Sequence, residues 1–217
     1  MTETAIFESV TNGGSSDFAL LVQILQNHGR WCLVDGLAVN CYVEPVFTID
    51  ADIVVAASEL AALRTELTAG GFEVKDHEHP VNAQMKDSDL RIQFTLDQRY
   101  QEFLTDTELH TVLGETVRVA SLENIVRGKV WAWSDPTRRL SKRKKDELDL
   151  IRIAEKYPAV RRLMPAAITA QLESSRKEYL WQPLSEKNRL LKVEAFSSKS
   201  AFHPKSSRPK ISTKSTA

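Results

Sequence analysis

Asp50 and Asp52 are the residues of this chain whose type and spacing most directly suggest chemistry. They open the run Asp50-Ala51-Asp52-Ile53-Val54-Val55, which reads as a strand. Residues two apart on a strand project from one face, roughly 6–7 Å from each other. Carboxylates so placed converge on one or two Mg²⁺ ions that also hold a triphosphate. Mg²⁺ takes one or two protein carboxylates and fills its octahedron with phosphate and water. An ion held there neutralises the phosphate under attack and lowers the pKa of an attacking hydroxyl. An Asp-x-Asp pattern alone is weak, and its plain alternative is two solvated acids on an edge strand. Context favours chemistry, because Ile53-Val54-Val55 reads as central and buried, and a buried unpaired charge is costly. Upstream, Leu33-Val34-Asp35-Gly36-Leu37-Ala38 reads as strand, glycine and helix start. Its backbone freedom and N-terminal amides suit a phosphate, so Gly36 and Leu37 join the candidate nucleotide contacts.

The elements that must position these residues follow from apolar period and turn chemistry. A helix is expected after Ser15-Ser16-Asp17, running to about His28-Gly29, then a buried strand over Trp31–Val34. A small-residue helix follows through Tyr42, stopped before Pro45, then the strand bearing the two acids. Ser58 is expected to cap a helix that Gly70-Gly71 ends. Phe72-Glu73-Val74 reads as a strand, and Val81–Lys86 with Leu90–Thr95 as a hairpin. After Val117-Arg118-Val119 the pattern turns helical: Ser121 to about Trp133, Lys142–Lys156, and about Ala166–Lys177. The expected fold is α+β, a mixed sheet with flanking helices followed by a small helical region. The expected boundaries are a sheet domain over 1–120, a helical region over 121–183 that completes the active site, and a disordered basic tail over 184–217.

Bulk properties exclude little. The 217 residues are 42% hydrophobic, enough for one core, and the formal net charge is zero, so any affinity for nucleic acid must come from local clustering. The two cysteines, Cys32 and Cys41, lie in apolar surroundings and read as free thiols of a cytoplasmic protein. No signal peptide and no membrane-spanning run is expected. His77-Glu78-His79 offers alternating ligand types without a third partner nearby, so a surface loop is the better reading than a zinc site. Trp131 and Trp133, two apart on a helix, cannot share one core face, which leaves one of them to meet a base or a partner protein.

The stretch Trp31 to Val55 resembles the opening of the DNA polymerase β-type nucleotidyltransferase fold, and within it the bacterial AbiEii/AbiGii toxin family. Members read as a strand, Gly-Gly or Gly-Ser, a short helix, then Thr-x-Asp-x-Asp-Ile/Leu. Gly36, Ala38, Thr48, Asp50, Asp52 and Ile53 stand at those places. The likeness continues with Lys129 and with Lys145-Asp146-Glu147-Leu148-Asp149-Leu150, spanning roughly 20–160.

The resemblance implies a Mg²⁺-dependent enzyme that moves a nucleoside monophosphate from an NTP to an acceptor hydroxyl. The implied acceptor is RNA, with tRNA as one candidate, and the implied partner is a cognate antitoxin. Asp50 and Asp52 would hold the metal and Lys129 would meet phosphate, although by itself Lys129 reads as a solvated helix lysine. Asp146 would be a third acid or the base; its ordinary alternative is a surface partner of Lys142. Asp149 reads as structural, paired with Arg143 or Lys145. The basic segment Arg138–Lys145, with Arg143 and Lys145 as candidate nucleotide contacts, suits a triphosphate or an RNA backbone. Two departures stand against activity. Asp35 and Leu37 replace the usual small and hydroxyl residues, and Gln93 occupies the strand position where many relatives place a third carboxylate. They support an alternative, a catalytically inactive protein of this fold that binds nucleotide, RNA or a protein partner. A third reading is an RNA-binding adaptor that works through the Arg138–Lys145 cluster and the tail.

Overall fold

The computed structural model describes residues 3–76 and 81–180. Two helices begin the chain, α1 (Glu3–Val10) and α2 (Gly14–Gln26). The start of α2 differs from expectation. Gly13, in the left-handed region at φ 95°, precedes it without a side-chain cap, and Ser15 lies inside the helix. Its free amides are met from α1: the Glu8 carboxylate accepts from the backbone N–H of Ser15 at 2.8 Å and of Ser16 at 3.1 Å.

Strand β1 (Trp31–Val34) is buried throughout, as its apolar run requires. Helix α3 (Asp35–Tyr42) follows directly, and β2 (Asp50–Val55) returns antiparallel to β1 with Val34 opposite Asp52. A 3₁₀ turn over Ala57–Glu59 leads into α4 (Leu60–Ala69) without a Ser58 cap. Strands β3 (Glu73–Asp76), β4 (Val81–Gln84) and β5 (Arg91–Thr95) come next; the hairpin of β4 and β5 forms as expected. Strands β6 (Thr107–Val112) and β7 (Glu115–Ala120) form a second hairpin, which the reading of the sequence does not assign. Helix α5 (Leu122–Ser134) starts at Ser121, whose hydroxyl accepts from the Asn124 amide. Helices α6 (Leu140–Lys156) and α7 (Ala166–Leu180) follow.

The seven strands form one mixed sheet in the order β3-β4-β5-β2-β1-β7-β6. The acid-bearing strand β2 is therefore central, parallel to β5 and antiparallel to β1, rather than at an edge. Its alternation sends Ala51 and Ile53 into the core and leaves Asp50 and Asp52 on the other face. Helices α5 and α6 pack on each other and on α3. Residues 1–172 make one compact unit, which holds the sheet together with α5 and α6. The remainder of α7, from Glu173, belongs to a second unit. His77-Glu78-His79 and the basic tail from 184 onward lie outside the described residues. No described helix is long and apolar enough to cross a membrane.

Cys32, fully buried on β1, has its thiol pushed up by burial from 9.0 to about 12. The unfolded chain ionises this thiol near 9 while the folded chain holds its proton to about 12, so stability falls as pH rises through that window. Urea unfolding between pH 9 and 11 should show a steeper loss for the wild type than for Cys32→Ala, by about 1.4 kcal/mol per pH unit.

Candidate active site

The sheet's central strands and the two crossing helices enclose a cleft of about 280 Å³. Asp50 and Asp52 of β2 line it, with Val34 and Asp35 at the end of β1, Gln93 and Thr95 on β5, and Tyr100 and Phe103 in the following 3₁₀ segment. Opposite them, α5 contributes Gly128 and Lys129, and α6 contributes Lys142, Lys145 and Asp146, with Arg138 just before it.

Two close approaches shape this cleft. A Cβ at Gly36 would stand 3.3 Å from the Thr48 side chain, so the glycine lets α3 lie against the approach to β2. There Thr48 Oγ1 accepts from the Asp50 amide at 3.3 Å and fixes where the strand starts. A Cβ at Gly128 would come 3.2 Å from the Tyr100 ring, so a side chain there would crowd the 3₁₀ segment against α5.

Lys129 is the pivot. It is 2% exposed, and its ammonium contacts the carboxylates of Asp35, Asp146 at 3.0 Å and Asp149 at 2.8 Å. Those three acids bring oxygens within 4.8 Å of one another, the spacing of a metal ligand set, but the lysine's own charge stands among them. Burial alone would lower the Lys129 pKa; Asp35, Asp149 and Asp146 outweigh it and hold it above the ordinary range. The same pairing holds the Asp35 carboxyl below its ordinary range against the effect of burial. Asp35 reaches this position because it adopts φ 58°, a left-handed conformation that aspartate tolerates better than most residues. The second oxygen of Asp146 accepts from Arg138 Nε at 2.9 Å, and Asp149 accepts from Arg152 Nη1 at 2.9 Å.

Asp52 is in the opposite condition. Burial, then the charges of Asp35 and Asp50, hold its proton affinity well above the ordinary carboxylate range. Lys142 Nζ stands 3.6 Å from Asp50, while Lys129 and then Lys145 lower the Asp52 pKa only in part. Asp52 is thus short of positive charge, and the hard oxygen donors of the two β2 acids fit a divalent cation.

Solved structures share this arrangement of sheet and helices. The solution structure of the antibiotic-resistance factor ANT(2'')-Ia matches 77% of this chain and 97% of its own, at 14% identity and a TM-score of 0.50. A crystal structure of an antigenic nucleotidyltransferase-like protein from Paracoccidioides brasiliensis matches 81% of this chain and 92% of its own, at 17% identity and a TM-score of 0.52. The chain has the nucleotidyltransferase fold. No protein-family model matches it, and comparison with curated proteins gives no match.

Within this fold the residues singled out from sequence separate into two groups. Asp50, Asp52, Lys129, Lys145 and Asp146 meet at the cleft. Leu37 is buried in the core, and Gly36 is packed against Thr48 rather than lining the cleft. Arg143 also stands apart, donating from Nε to the Trp133 carbonyl at 2.9 Å, where it satisfies the end of α5. Asp146 is not a surface partner of Lys142, and Asp149 pairs with Lys129 and Arg152 rather than with Arg143 or Lys145. Both tryptophans are half-buried: Trp131 stacks on Phe103 with ring centroids 5.7 Å apart, and Trp133 donates to Glu147 at 3.0 Å. Sequence reading did not assign Arg138 or Lys142 individually, nor Tyr100 and Phe103; for Asp35 the signal was an aspartate at a glycine position.

Replacing Lys129 by Met leaves Asp146 and Asp149 buried without their shared cation. The expected loss is about 3–5 kcal/mol in urea unfolding. Lys142→Ala, which breaks a half-exposed contact, should cost under about 1 kcal/mol in the same measurement.

Proposed function

We propose that this protein is a Mg²⁺-dependent nucleotidyltransferase that moves a nucleoside monophosphate from an NTP to an acceptor hydroxyl. The observation that carries the reading is the geometry of the cleft: two acids on one face of a central strand, Asp52 without an ion pair among the described residues and Asp50 meeting Lys142, opposite the basic side chains of Arg138, Lys142 and Lys145. The acceptor hydroxyl attacks the α-phosphate, the bridging bond to the β-phosphate breaks, pyrophosphate leaves, and the hydroxyl proton passes to solvent in the open cleft.

Asp50 and Asp52 would hold the metal, which when bound polarises the phosphate and completes the charge balance. Lys142 and Lys145 point charge into the cleft from α6 and would neutralise the triphosphate. Lys129 is enclosed by three carboxylates, so its part is to hold Asp35 and Asp146 in place rather than to meet phosphate freely. With one oxygen on Lys129 and the other on Arg138, Asp146 acts as a positioning residue that keeps Arg138 at the cleft wall. The motif resemblance to AbiEii/AbiGii toxins supports an RNA acceptor such as tRNA, a cognate antitoxin and a cytoplasmic setting.

One observation favours a second reading, nucleotide binding without turnover. Gln93 stands directly opposite Asp52 on β5 and lines the cleft where a carboxylate would complete the acidic set. A single experiment separates the two. Protein, Mg²⁺, each α-labelled NTP and total RNA are incubated, with Asp50→Asn and Asp52→Asn alongside. The wild type should label RNA, each variant should lose at least about a hundredfold in rate, and EDTA should abolish labelling. Nucleotide binding with no label in RNA or on protein would overturn transfer to these acceptors and leave the binding reading.

A further inference from the structure

A second cavity of about 340 Å³ opens beside the cleft, on the polar face of β3, β4 and β5. It shares Asp50, Gln93 and Lys142 with the cleft, so whatever occupies it lies against the same acids. The sheet register orders its floor. Lys75 stands opposite Asn82, Asn82 opposite Gln93, and Gln93 opposite Asp52. In the neighbouring row Glu73 stands opposite Gln84, and Arg91 opposite Asp50. Adjacent strands lie about 4.8 Å apart, so Arg91 is one strand spacing from the acid at the mouth of the cleft.

The charges of this cavity largely cancel in pairs. Glu73 and Lys75 are 3.4 Å apart, Lys142 sits 3.6 Å from Asp50, and Gln84 donates to the Ser88 carbonyl at 2.7 Å. Among the described residues, no hydrogen bond or ion pair engages the side chains of Arg91, Asn82 or Gln93. The cation left without a hydrogen bond or ion pair among the described residues is therefore the exposed Arg91 guanidinium, one strand spacing from Asp50, whose planar fork matches the oxygens of a phosphate. Beside it stand two carboxamides that both donate and accept, which suits sugar hydroxyls.

We propose that this cavity is the acceptor subsite, and that Arg91 selects a sugar acceptor carrying a phosphate near its reactive hydroxyl. This rests on the transfer reading above for the word acceptor, while the phosphate selectivity itself can be measured as binding. The shared chemistry belongs both to the 3′ end of a nucleic acid and to a small phosphorylated sugar.

The test uses the full chain with Mg²⁺ and α,β-methylene-ATP to fill the cleft. Fluorescence anisotropy follows a 5′-labelled hexaribonucleotide with a free 3′ hydroxyl, with ribose 5-phosphate and ribose as competitors. Arg91→Gln should weaken binding of the phosphorylated probe that the wild type takes up, by about ten- to a hundredfold, with an unchanged melting temperature. Binding of the oligonucleotide without competition by ribose 5-phosphate supports a nucleic-acid end; effective competition by it supports a small phosphorylated sugar. Equal competition by ribose, unchanged affinity in Arg91→Gln, or no binding of either phosphorylated compound would overturn the proposal. Arg91-dependent binding without pyrophosphate release from a hydrolysable NTP would remove the transfer reading and leave the selectivity standing.

Discussion

A buried ammonium holds the two halves of this molecule in register. Lys129 on α5 meets Asp35 from the β1–α3 junction and Asp146 and Asp149 from α6, so one side chain ties together three separate elements. Removing such a charge from water costs several kcal/mol, and it is tolerated only where the surrounding groups answer it fully. They do: Asp35, Asp146 and Asp149 face Lys129, Arg138 and Arg152, three negative charges against three positive. Arg152 extends the tie by donating to the Glu44 carbonyl in the loop after α3. The orientation of α6 over the sheet follows from these contacts, together with the packing of Leu150 and Ile153 in the core.

Because that cluster is balanced internally, the acids of β2 are left to their own environment. Asp50 and Asp52 share a face with each other and lie near Asp35, yet the lysine that neutralises Asp35 is already surrounded by carboxylates. The result is a division between an ionic cluster whose charges balance one another and Asp52, which has no ion pair among the described residues. Lys142 marks the border, since it contacts Asp50 and lines both the cleft and the cavity beside it.

Much of this was legible in the sequence where local physics governs. The all-apolar Trp31–Val34 run, the alternation through Asp50–Val55 and the Ser121 cap each specify their element without help from distant residues. The pairing of Asp50 with Asp52 on one face follows from strand geometry alone. What the sequence did not disclose depends on which residues meet across the fold. Lys129 reads as an exposed helix lysine until three aspartates close around it. Arg143 reads as part of a basic patch, but the Trp133 carbonyl claims it. Asp35 stands where a small residue is usual, and its left-handed backbone turns it toward Lys129. The start of α2 was misplaced because its cap comes from Glu8, on another helix.

The position of β2 in the middle of the sheet also governs the order in which the molecule can be built. Asp35 and Asp50 leave the ribosome before Asp35's partner Lys129, which lies 94 residues beyond Asp35, and β1 must wait for Val119 of β7 to complete its pairing. Contacts of such long sequence separation form late and slowly, because the chain between them must first be ordered. A nascent chain that stops short of α5 and α6 has Asp35, Asp50 and Asp52 but neither the lysine that anchors Asp35 nor the opposite wall of the cleft. The site therefore comes into existence with α5 and α6, late in the compact unit, and synthesis itself withholds the assembled cleft until most of that unit has been made.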